Sequence, residues 1–388
     1  MINQVKEKFT SLFHKEPIII LSPGRVNLIG EHTDYNDGFV LPAAIDKHVI
    51  VALAANGTDQ CNIYASAFDE LISFPVENER PARGWINYIM GVVFYLKQKG
   101  HPVKGFDAVL DSNLPVGAGL SSSAAVEGAA GYGLSRLFNL HIERKELAKI
   151  GQMSEHNFVG VMCGIMDQFA NLLGKKDQLI RLDCRDLSYT YSPFHFPEYK
   201  IVLCNSMVHH SLASSEYNVR RQQCEEGVAL IKKQFPEVKN LRDVTEEVLN
   251  RFKDSMDEKI YRRCHYVINE NDRLLKGCVY LENNDLNGFG KMMYKTHDGL
   301  SKDYEVSCDE LDFLVSLTKD REEVAGSRMM GGGFGGCTIN IVKSDQLDSF
   351  SYFIKKKYEE RYSKTPEIYV TSIEDGVKVA NHESMSFR

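Results

Sequence analysis

Short apolar runs rich in β-branched residues alternate with turn-forming residues through the first half of the chain. This pattern predicts a mostly antiparallel sheet with short connections. The predicted strands cover residues 17–21, 48–54, 60–65, 71–74 and 106–110. Apolar residues at helical spacing predict helices at 1–15, 85–99, 121–137 and 143–158. The first half therefore mixes both kinds of element around one sheet.

The second half of the chain is richer in helices. Apolar residues recur with the period of an α-helix at 215–233, 257–281, 285–300 and 308–318. A strand at 338–343, a helix at 346–362 and a strand at 367–371 follow, and strands at 179–182, 189–191 and 201–205 surround the change in pattern. Because 388 residues exceed the size of one ordinary core, we expect two domains, 1–190 and 191–388.

Charge and composition narrow the class of protein. Acids outnumber bases by 53 to 46 and the bases do not cluster, so nucleic acid and anionic membranes are unfavourable partners. No apolar run approaches the roughly 18 residues of a membrane span, and the first helix is amphipathic, unlike a signal peptide. Nine cysteines without a Cys-x-x-Cys pair argue against a disulfide framework and a structural zinc site. We expect a cytoplasmic protein.

Residues 114–127, Leu-Pro-Val-Gly-Ala-Gly-Leu-Ser-Ser-Ser-Ala-Ala-Val-Glu, lie between a predicted strand and a predicted helix. Gly117 and Gly119 permit positive φ angles and close backbone approach. The first N–H groups of a helix have no partner within it, so a phosphate fits such a turn, and the serines could also contact a metal ion. No lysine follows Gly119, which excludes the standard P-loop. A plain helix start capped by Ser121 or Ser122 is the alternative.

Residues 25–38 are polar where a core strand would be apolar. Arg25, Glu31, His32 and Asp34 fall within ten residues of one another and could all hydrogen-bond hydroxyl groups or phosphate. Taken alone, the segment is more typical of a solvated loop that contains an arginine–carboxylate pair.

Asp167 is a single acid among the apolar residues of the segment 161–169. Burying an unpaired carboxylate is costly, so this acid either caps the helix that follows or takes part in chemistry. The sequence alone leaves both roles open.

A second glycine cluster occupies residues 328–337. Gly331, Gly333 and Gly336 match Gly-x-Gly-x-x-Gly, but a dinucleotide fingerprint must open a helix and these glycines lead into a strand. The cluster is either a backbone loop that lies over a ligand or a tight turn between strands. We expect no metal role for His297 or for the adjacent His209 and His210, whose side chains would point to opposite faces of a strand.

Together these stretches resemble the GHMP small-molecule kinase family. Residues 24–42, Gly-Arg-Val-Asn-Leu-Ile-Gly-Glu-His-Thr-Asp-Tyr-Asn-Asp-Gly-Phe-Val-Leu-Pro, resemble the signature of the members that phosphorylate galactose. Residues 114–125 are similar to the family's ATP motif, and residues 329–336, Met-Met-Gly-Gly-Gly-Phe-Gly-Gly, to its third motif. The resemblance extends from about residue 18 to residue 371.

The resemblance implies an α+β fold with an N-terminal ribosomal-S5-like domain, a C-terminal ferredoxin-like domain and an active site in the cleft between them. It implies a phosphotransferase that phosphorylates the C1 hydroxyl of D-galactose with ATP, uses Mg²⁺ and works as a monomer in the cytoplasm. Two alternatives are a kinase for a related sugar, such as N-acetylgalactosamine or arabinose, and a catalytically silent sugar sensor that acts through a protein partner.

The resemblance also implies roles for individual residues. The sugar would contact Arg25, Glu31, His32, Thr33, Asp34, Gly164, Asp167 and Tyr217. ATP would contact Gly117, Ala118, Gly119, Leu120, Ser121, Ser122 and Ser123, with Ser66 as a further nucleotide contact. Ser123 and Glu155 would bind Mg²⁺. Asp167 would be the catalytic base, and Arg25 would stabilise charge on the transferring phosphoryl group.

Overall fold

The computed structural model describes residues 1–78, 80–115, 118–208 and 213–380, with residues 213–215 described by their backbone only. Its strands are β1 (Ile18–Asn27), β2 (Phe39–Val40), β3 (Pro42–Ala55), β4 (Gln60–Ala65), β5 (Glu70–Pro75), β6 (Phe106–Ser112), β7 (Gln178–Asp183), β8 (Tyr189–Pro193), β9 (Tyr199–Asn205), β10 (Val324–Met329), β11 (Cys337–Lys343), β12 (Glu367–Thr371) and β13 (Lys378–Val379).

The helices follow the predicted periodicity closely. They are α1 (Ile2–Phe13), α2 (Asn87–Gln98), α3 (Ser122–Leu137), α4 (Arg144–Ser154), α5 (Met166–Leu173), α6 (Ala213–Lys232), α7 (Glu246–Asn250), α8 (Glu258–Glu282), α9 (Leu286–Lys302), α10 (Asp309–Ser316) and α11 (Leu347–Tyr362). None of these helices in the described ranges combines the length and the apolarity that crossing a bilayer requires.

Five strands of the first half and β13 from the end of the described chain form a six-stranded sheet in the order β13-β1-β3-β6-β4-β5. Its strand pairs are antiparallel except for β4 with β6, as the short connections predicted. Val5 and Phe9 of α1 pack against one face of the sheet, and α2 to α5 contribute to the core on the other. β6 leads directly toward the first glycine stretch, which places that stretch at one edge of this core.

The second half forms a four-stranded antiparallel sheet in the order β10-β11-β9-β12. Its side chains alternate between two cores, as the period of a strand requires. Val202 and Cys204 pack with helices α10 and α11, whereas Ile201 and Leu203 face the larger core shared with the first half. The two halves are therefore packed together through one face of the second sheet.

The division at residue 190 falls inside β8, which pairs with β7, and the end of the chain returns to the first sheet as β13. An isolated bridge between Ile45 and Ile373 strengthens this return. We therefore propose a domain boundary between β8 and β9, with the C-terminal segment around β13 counted with the first domain.

Several elements differ from the sequence-based expectation. β1 continues through Asn27, so Arg25 lies on a buried strand and not in a solvated loop. Helix α4 ends at Ser154 and continues as a π-helical turn, Glu155–Val159. The short elements β2, β13 and α7 were not predicted, because two-residue strands and one-turn helices have too few residues to show a period. Strand β10 has six residues, but Gly326, Ser327 and Arg328 interrupt its apolar pattern, and it was not predicted either.

Candidate active site

A cavity of about 580 Å³ lies where the two halves of the chain meet. The first half contributes β1, the polar segment that follows it, the π-helical turn and the start of α5. The second half contributes the start of α6 and the second glycine cluster. The lining residues are Arg25, Glu31, His32, Asp34, Glu155, Gly160, Val161, Met162, Cys163, Gly164, Met166, Asp167, Tyr217, Asn218, Gly331, Gly332 and Gly333.

Arg25 joins two parts of this cavity. The pairing of β1 with β3 is irregular between Pro23 and Arg25, and such bulges re-aim side chains. The Arg25 Nε and Nη2 atoms donate to the two carboxylate oxygens of Asp167 at 2.7 and 2.9 Å. Its Nη1 donates to the Gly119 carbonyl oxygen at 2.6 Å. One guanidinium group therefore contacts both the acid of α5 and the first glycine turn.

Asp167 lies in the first turn of α5, but it does not cap that helix. The residue in the cap position is Ile165, and no side chain caps the helix. The Asp167 carboxylate instead accepts hydrogen bonds from Arg25 and from the hydroxyl of Ser121. Its position in the cavity wall, paired but facing the open space, fits a role in chemistry better than a role as a cap.

Glu31 is buried and held from the second half of the chain. Its Oε1 atom accepts from Arg328 Nη2 at 3.0 Å and from the Gly331 N–H at 2.8 Å. Burial raises the pKa of the Glu31 carboxyl, but Arg328 and Arg25 outweigh burial and bring this pKa below its ordinary value. Glu31 is therefore an ionised hydrogen-bond acceptor at neutral pH.

His32 uses both ring nitrogens within the protein. Burial lowers the pKa of its imidazole to about 4, so the ring is neutral at physiological pH. The Gly332 carbonyl can only accept, so Nε2 donates to it at 3.2 Å, and Nδ1 accepts from the Tyr35 hydroxyl at 2.8 Å. The ring packs against Tyr217. His32 thus contributes a wall of the cavity, while its polar atoms fix the surrounding loops.

Asp34 lies beside Gly164 and faces the cavity. Burial and the neighbouring Asp167 raise the pKa of the Asp34 carboxyl to about 7. A Cβ atom at Gly164 would overlap the Asp34 carboxylate, so only glycine allows this close approach. Thr33, in contrast, is fully buried and donates to the Phe39 carbonyl at 2.6 Å, which makes it a brace of the loop.

Tyr217 lies near the start of α6 and closes the cavity from the second half of the chain. Its ring contacts Tyr35 and lies about 3.5 Å from the position that a Cβ atom on Gly332 would take. The second glycine cluster is the turn between β10 and β11, one of the two possibilities that the sequence left open. Gly331 to Gly333 of this turn also form part of the cavity wall.

The first glycine turn begins outside the described residues, since Gly117 is not among them. Gly119 has φ +70°, and no atom lies within 4 Å of the Cβ that another residue would place there. Ser121 occupies the cap position of α3 with φ 56°, but its hydroxyl makes no cap bond. The predicted serine cap is thus absent at Ser121, and the first N–H groups of α3 are left without a side-chain cap.

The Ser123 hydroxyl lies close enough to the Glu155 carboxyl group to lower its pKa. Burial and Asp167 raise the pKa of Glu155. Behind them, the Gln168 side-chain amide donates to Glu155 at 2.8 Å and to the buried Glu127 at 3.0 Å. One oxygen of Glu127 has no hydrogen-bond partner. A cation would relieve the repulsion among these acids.

In the described part of the chain, no three His, Cys, Asp or Glu side chains form a complete metal site. Magnesium in proteins commonly takes one or two carboxylates and completes its shell with substrate phosphates and water. Ser123 and Glu155 fit that incomplete kind of site.

The other predicted residues lie away from the cavity or outside the described ranges. Ser66 follows β4, and its N–H donates to the Leu110 carbonyl of β6 at 3.0 Å. His297 is buried, accepts from the Met329 N–H and pairs with Asp312 at 3.2 Å, which is a structural role. His209 and His210 are outside the described residues.

Three family models match the chain in order. They are the galactokinase galactose-binding signature over residues 7–55, the GHMP kinases N terminal domain over 87–175 and the GHMP kinases C terminal over 279–360. With the two sheets and the cavity between them, these matches define a small-molecule kinase of the GHMP class, and they confirm the expected fold. The chain is 42% identical to a galactokinase of Clostridium acetobutylicum, over 98% of this chain and 100% of that protein. It belongs to the galactokinase family.

Solved structures agree with this assignment. Lactococcus lactis galactokinase, crystallised in complex with galactose, is 34% identical and matches with a TM-score of 0.93, covering 98% of this chain and 100% of that one. Methanococcus jannaschii mevalonate kinase is 17% identical with a TM-score of 0.64 over 93% of this chain and 99% of that one, so it shares the fold.

Proposed function

We propose that the chain transfers the γ-phosphoryl group of ATP to the C1 hydroxyl of D-galactose, giving galactose 1-phosphate and ADP. The observation that carries this proposal is the position of Arg25, whose guanidinium group contacts Asp167 on one side and the Gly119 carbonyl on the other. An acceptor hydroxyl at Asp167 and a phosphate at the glycine turn would both lie beside this positive charge.

The sugar occupies the part of the cavity lined by Glu31, Asp34, Gly164 and Tyr217. Glu31 and Asp34 offer carboxylate oxygens to its hydroxyl groups, and the tyrosine ring and the packed His32 ring shape the wall. The close approach of Gly164 to Asp34 leaves no room there for a side chain. Thr33 and His32 support this arrangement through the loop and not through direct polar contact.

The nucleotide phosphates lie at the turn that leads into α3, over residues 117–123, with Ser66 as a further nucleotide contact. The first N–H groups of α3, which no side chain caps, face these phosphates. Ser123 and Glu155 hold Mg²⁺, which neutralises charge on the phosphates when it is bound.

Asp167 accepts the proton of the C1 hydroxyl as the bond from that oxygen to the γ-phosphorus forms and the bond to the ADP oxygen breaks. Arg25 stabilises the charge that spreads over the phosphoryl oxygens in the loose transition state. Both groups act by position, which is the main contribution a protein makes to phosphoryl transfer.

The residues that we assign to the sugar and to the proton transfer all line one cavity, so we infer that a monomer is sufficient for activity. ATP as the phosphoryl donor and nine free thiols favour the cytoplasm as its location.

The test is a panel of sugars assayed with MgATP for ADP release. Galactose should be the best substrate, ahead of N-acetylgalactosamine, arabinose and glucose. A better rate with one of the others would keep the kinase and reassign the sugar. Galactose binding without ADP release from any sugar would favour the sensor instead.

A further inference from the structure

Arg328, on β10, is fully buried and reaches across the cleft to the end of β1. Its Nε donates to the Leu28 carbonyl at 2.6 Å, and its Nη2 donates to the Asn27 carbonyl and to Glu31. Its Nη1 donates to the neighbouring Met329 carbonyl. Among these partners only Glu31 carries a charge, so the buried guanidinium and the buried carboxylate neutralise each other.

The two donors on Glu31 reach the same oxygen. Arg328 Nη2 and the Gly331 N–H both meet Oε1, and no donor among the described residues meets Oε2. Because Glu31 lines the cavity, Oε2 is the oxygen left for a ligand. The Glu31 carboxylate is therefore held in one orientation by contacts to Oε1, the oxygen that points away from the cavity.

We propose that Arg328 is a positioning residue that fixes Glu31 so that Oε2 alone faces the substrate, and that it thereby determines which sugar hydroxyl the enzyme recognises. The proposal rests on the assignment of the cavity as the sugar site. Arg328 touches neither the sugar nor the reacting atoms, and it acts through Glu31.

The geometry of arginine matters for this role. A guanidinium group is a planar fork that can serve Asn27, Leu28 and Glu31 together, whereas the ammonium group of lysine is a single point charge. Arg328→Lys keeps the buried positive charge but cannot maintain the whole set of contacts. Glu31 should then sample other orientations, and the alignment of Oε2 with one hydroxyl should be lost.

The first experiment compares galactose with its 2-, 3-, 4- and 6-deoxyfluoro derivatives as substrates. A hydroxyl can donate to the Glu31 carboxylate, but fluorine cannot. The wild-type enzyme should therefore disfavour fluorine most strongly at the position that Glu31 holds, by roughly 10² in kcat/KM or more. In Arg328→Lys this discrimination should shrink about tenfold or more at that position alone, while the KM for ATP stays unchanged.

Glu31→Gln provides a second variant, which preserves the contacts of Arg328 and Gly331 with the side-chain oxygen of residue 31. The amide oxygen must accept from Arg328 and Gly331, so the NH₂ group must face the cavity, where it can donate to fluorine. The same position of the sugar should then lose its discrimination against fluorine. Arg263→Lys is the matched control, because Arg263 is also buried and bonded to a carbonyl and an acid but does not contact Glu31 or line the cavity.

The outcomes separate the alternatives. Arg328→Lys could lower kcat/KM equally for all the sugars and leave the discrimination against fluorine at each position unchanged. That result would show that Arg328 only stabilises the structure, and it would overturn the proposal. If Arg328→Lys does not fold, Glu31→Gln decides: an unchanged fluorine pattern overturns the proposal, and loss at one position supports it. Failure of the wild-type enzyme to phosphorylate galactose would instead refute the proposed function itself.

Discussion

Arg25 and Asp167 are 142 residues apart in the chain and form a bidentate ion pair with N–O distances of 2.7 and 2.9 Å. The pair connects a bulged strand of the sheet with the first turn of α5. Since each residue orients the other, replacing one leaves its partner with an unpaired charge in a mostly buried site. Variants of this pair must therefore be compared by binding as well as by rate.

Gly119→Val should abolish ATP binding and leave galactose binding largely intact. The added side chain would project into open space beside the turn, which is the space that the triphosphate needs. Gly57→Val is a close control, because Gly57 has φ +73° and equally open surroundings but lies in the turn between β3 and β4 and not at the start of α3. Both variants carry the same backbone strain, so calorimetry should show a loss of ATP affinity in the first only. Equal ATP affinity in the two variants would refute the assignment of the first glycine turn to the ATP phosphates.

Glucose, the C4 epimer of galactose, should be a very poor substrate. A site that pairs a hydroxyl leaves its own buried polar groups unsatisfied when that hydroxyl moves, and such mismatches reach about 10⁴ in kcat/KM. Steady-state kinetics with both sugars checks this expectation. Comparable kcat/KM values for glucose and galactose would refute galactose as the specific substrate, but the protein would still be a sugar kinase.

Asp34→Asn should stabilise the ligand-free protein at pH 8 but not at pH 4. Burial and Asp167 hold the pKa of the folded carboxyl at about 7, above its ordinary value. A raised pKa favours folding while the group is protonated, and that contribution disappears as the pH rises through about 7. Thermal unfolding at both pH values should show the Tm gain only at pH 8. An equal gain in Tm at both pH values would contradict the explanation that the effect comes from the burial of the Asp34 carboxylate. The same pH-dependent gain in Tm in the exposed control Asp254→Asn would contradict it too.

Glu127→Gln and Glu155→Gln should differ sharply although Gln168 contacts both acids. Burial, followed by Glu155, raises the pKa of Glu127 well above its ordinary value, which favours the uncharged carboxyl group, so the amide replacement should change Mg²⁺ binding little. Glu155→Gln removes a proposed Mg²⁺ ligand and should raise the apparent dissociation constant for Mg²⁺ by a factor of roughly 10². Titration of Mn²⁺ by electron paramagnetic resonance provides a measure independent of turnover. Equal weakening in both variants would place Glu127 in the metal shell.

Periodicity and glycine patterns were sufficient to predict most helices and strands, and the motifs identified the family. The buried position of Arg25 could not be predicted from the segment around it. A charged residue in a polar run predicts an exposed loop, and only the folded structure brings its partner Asp167 next to it. Arg328 was missed for a similar reason. It stands at the edge of a glycine cluster, and nothing in its local sequence shows that Glu31, 297 residues away, is its partner.

Asp167→Asn should bind both substrates and lose about 10² or more in kcat, since an amide cannot accept the hydroxyl proton at neutral pH. Arg25→Ala should lose about 10² to 10³ in kcat if the guanidinium meets charge that develops in the transition state. Because the two side chains already contact each other and act on one transferring group, the double variant should lose less than the product of the single losses. Rapid-quench measurement of the chemical step, with calorimetry of each ligand, separates these effects from binding. A near-normal kcat in Asp167→Asn would refute the assignment of Asp167 as the catalytic base, and its remaining role would be to orient Arg25.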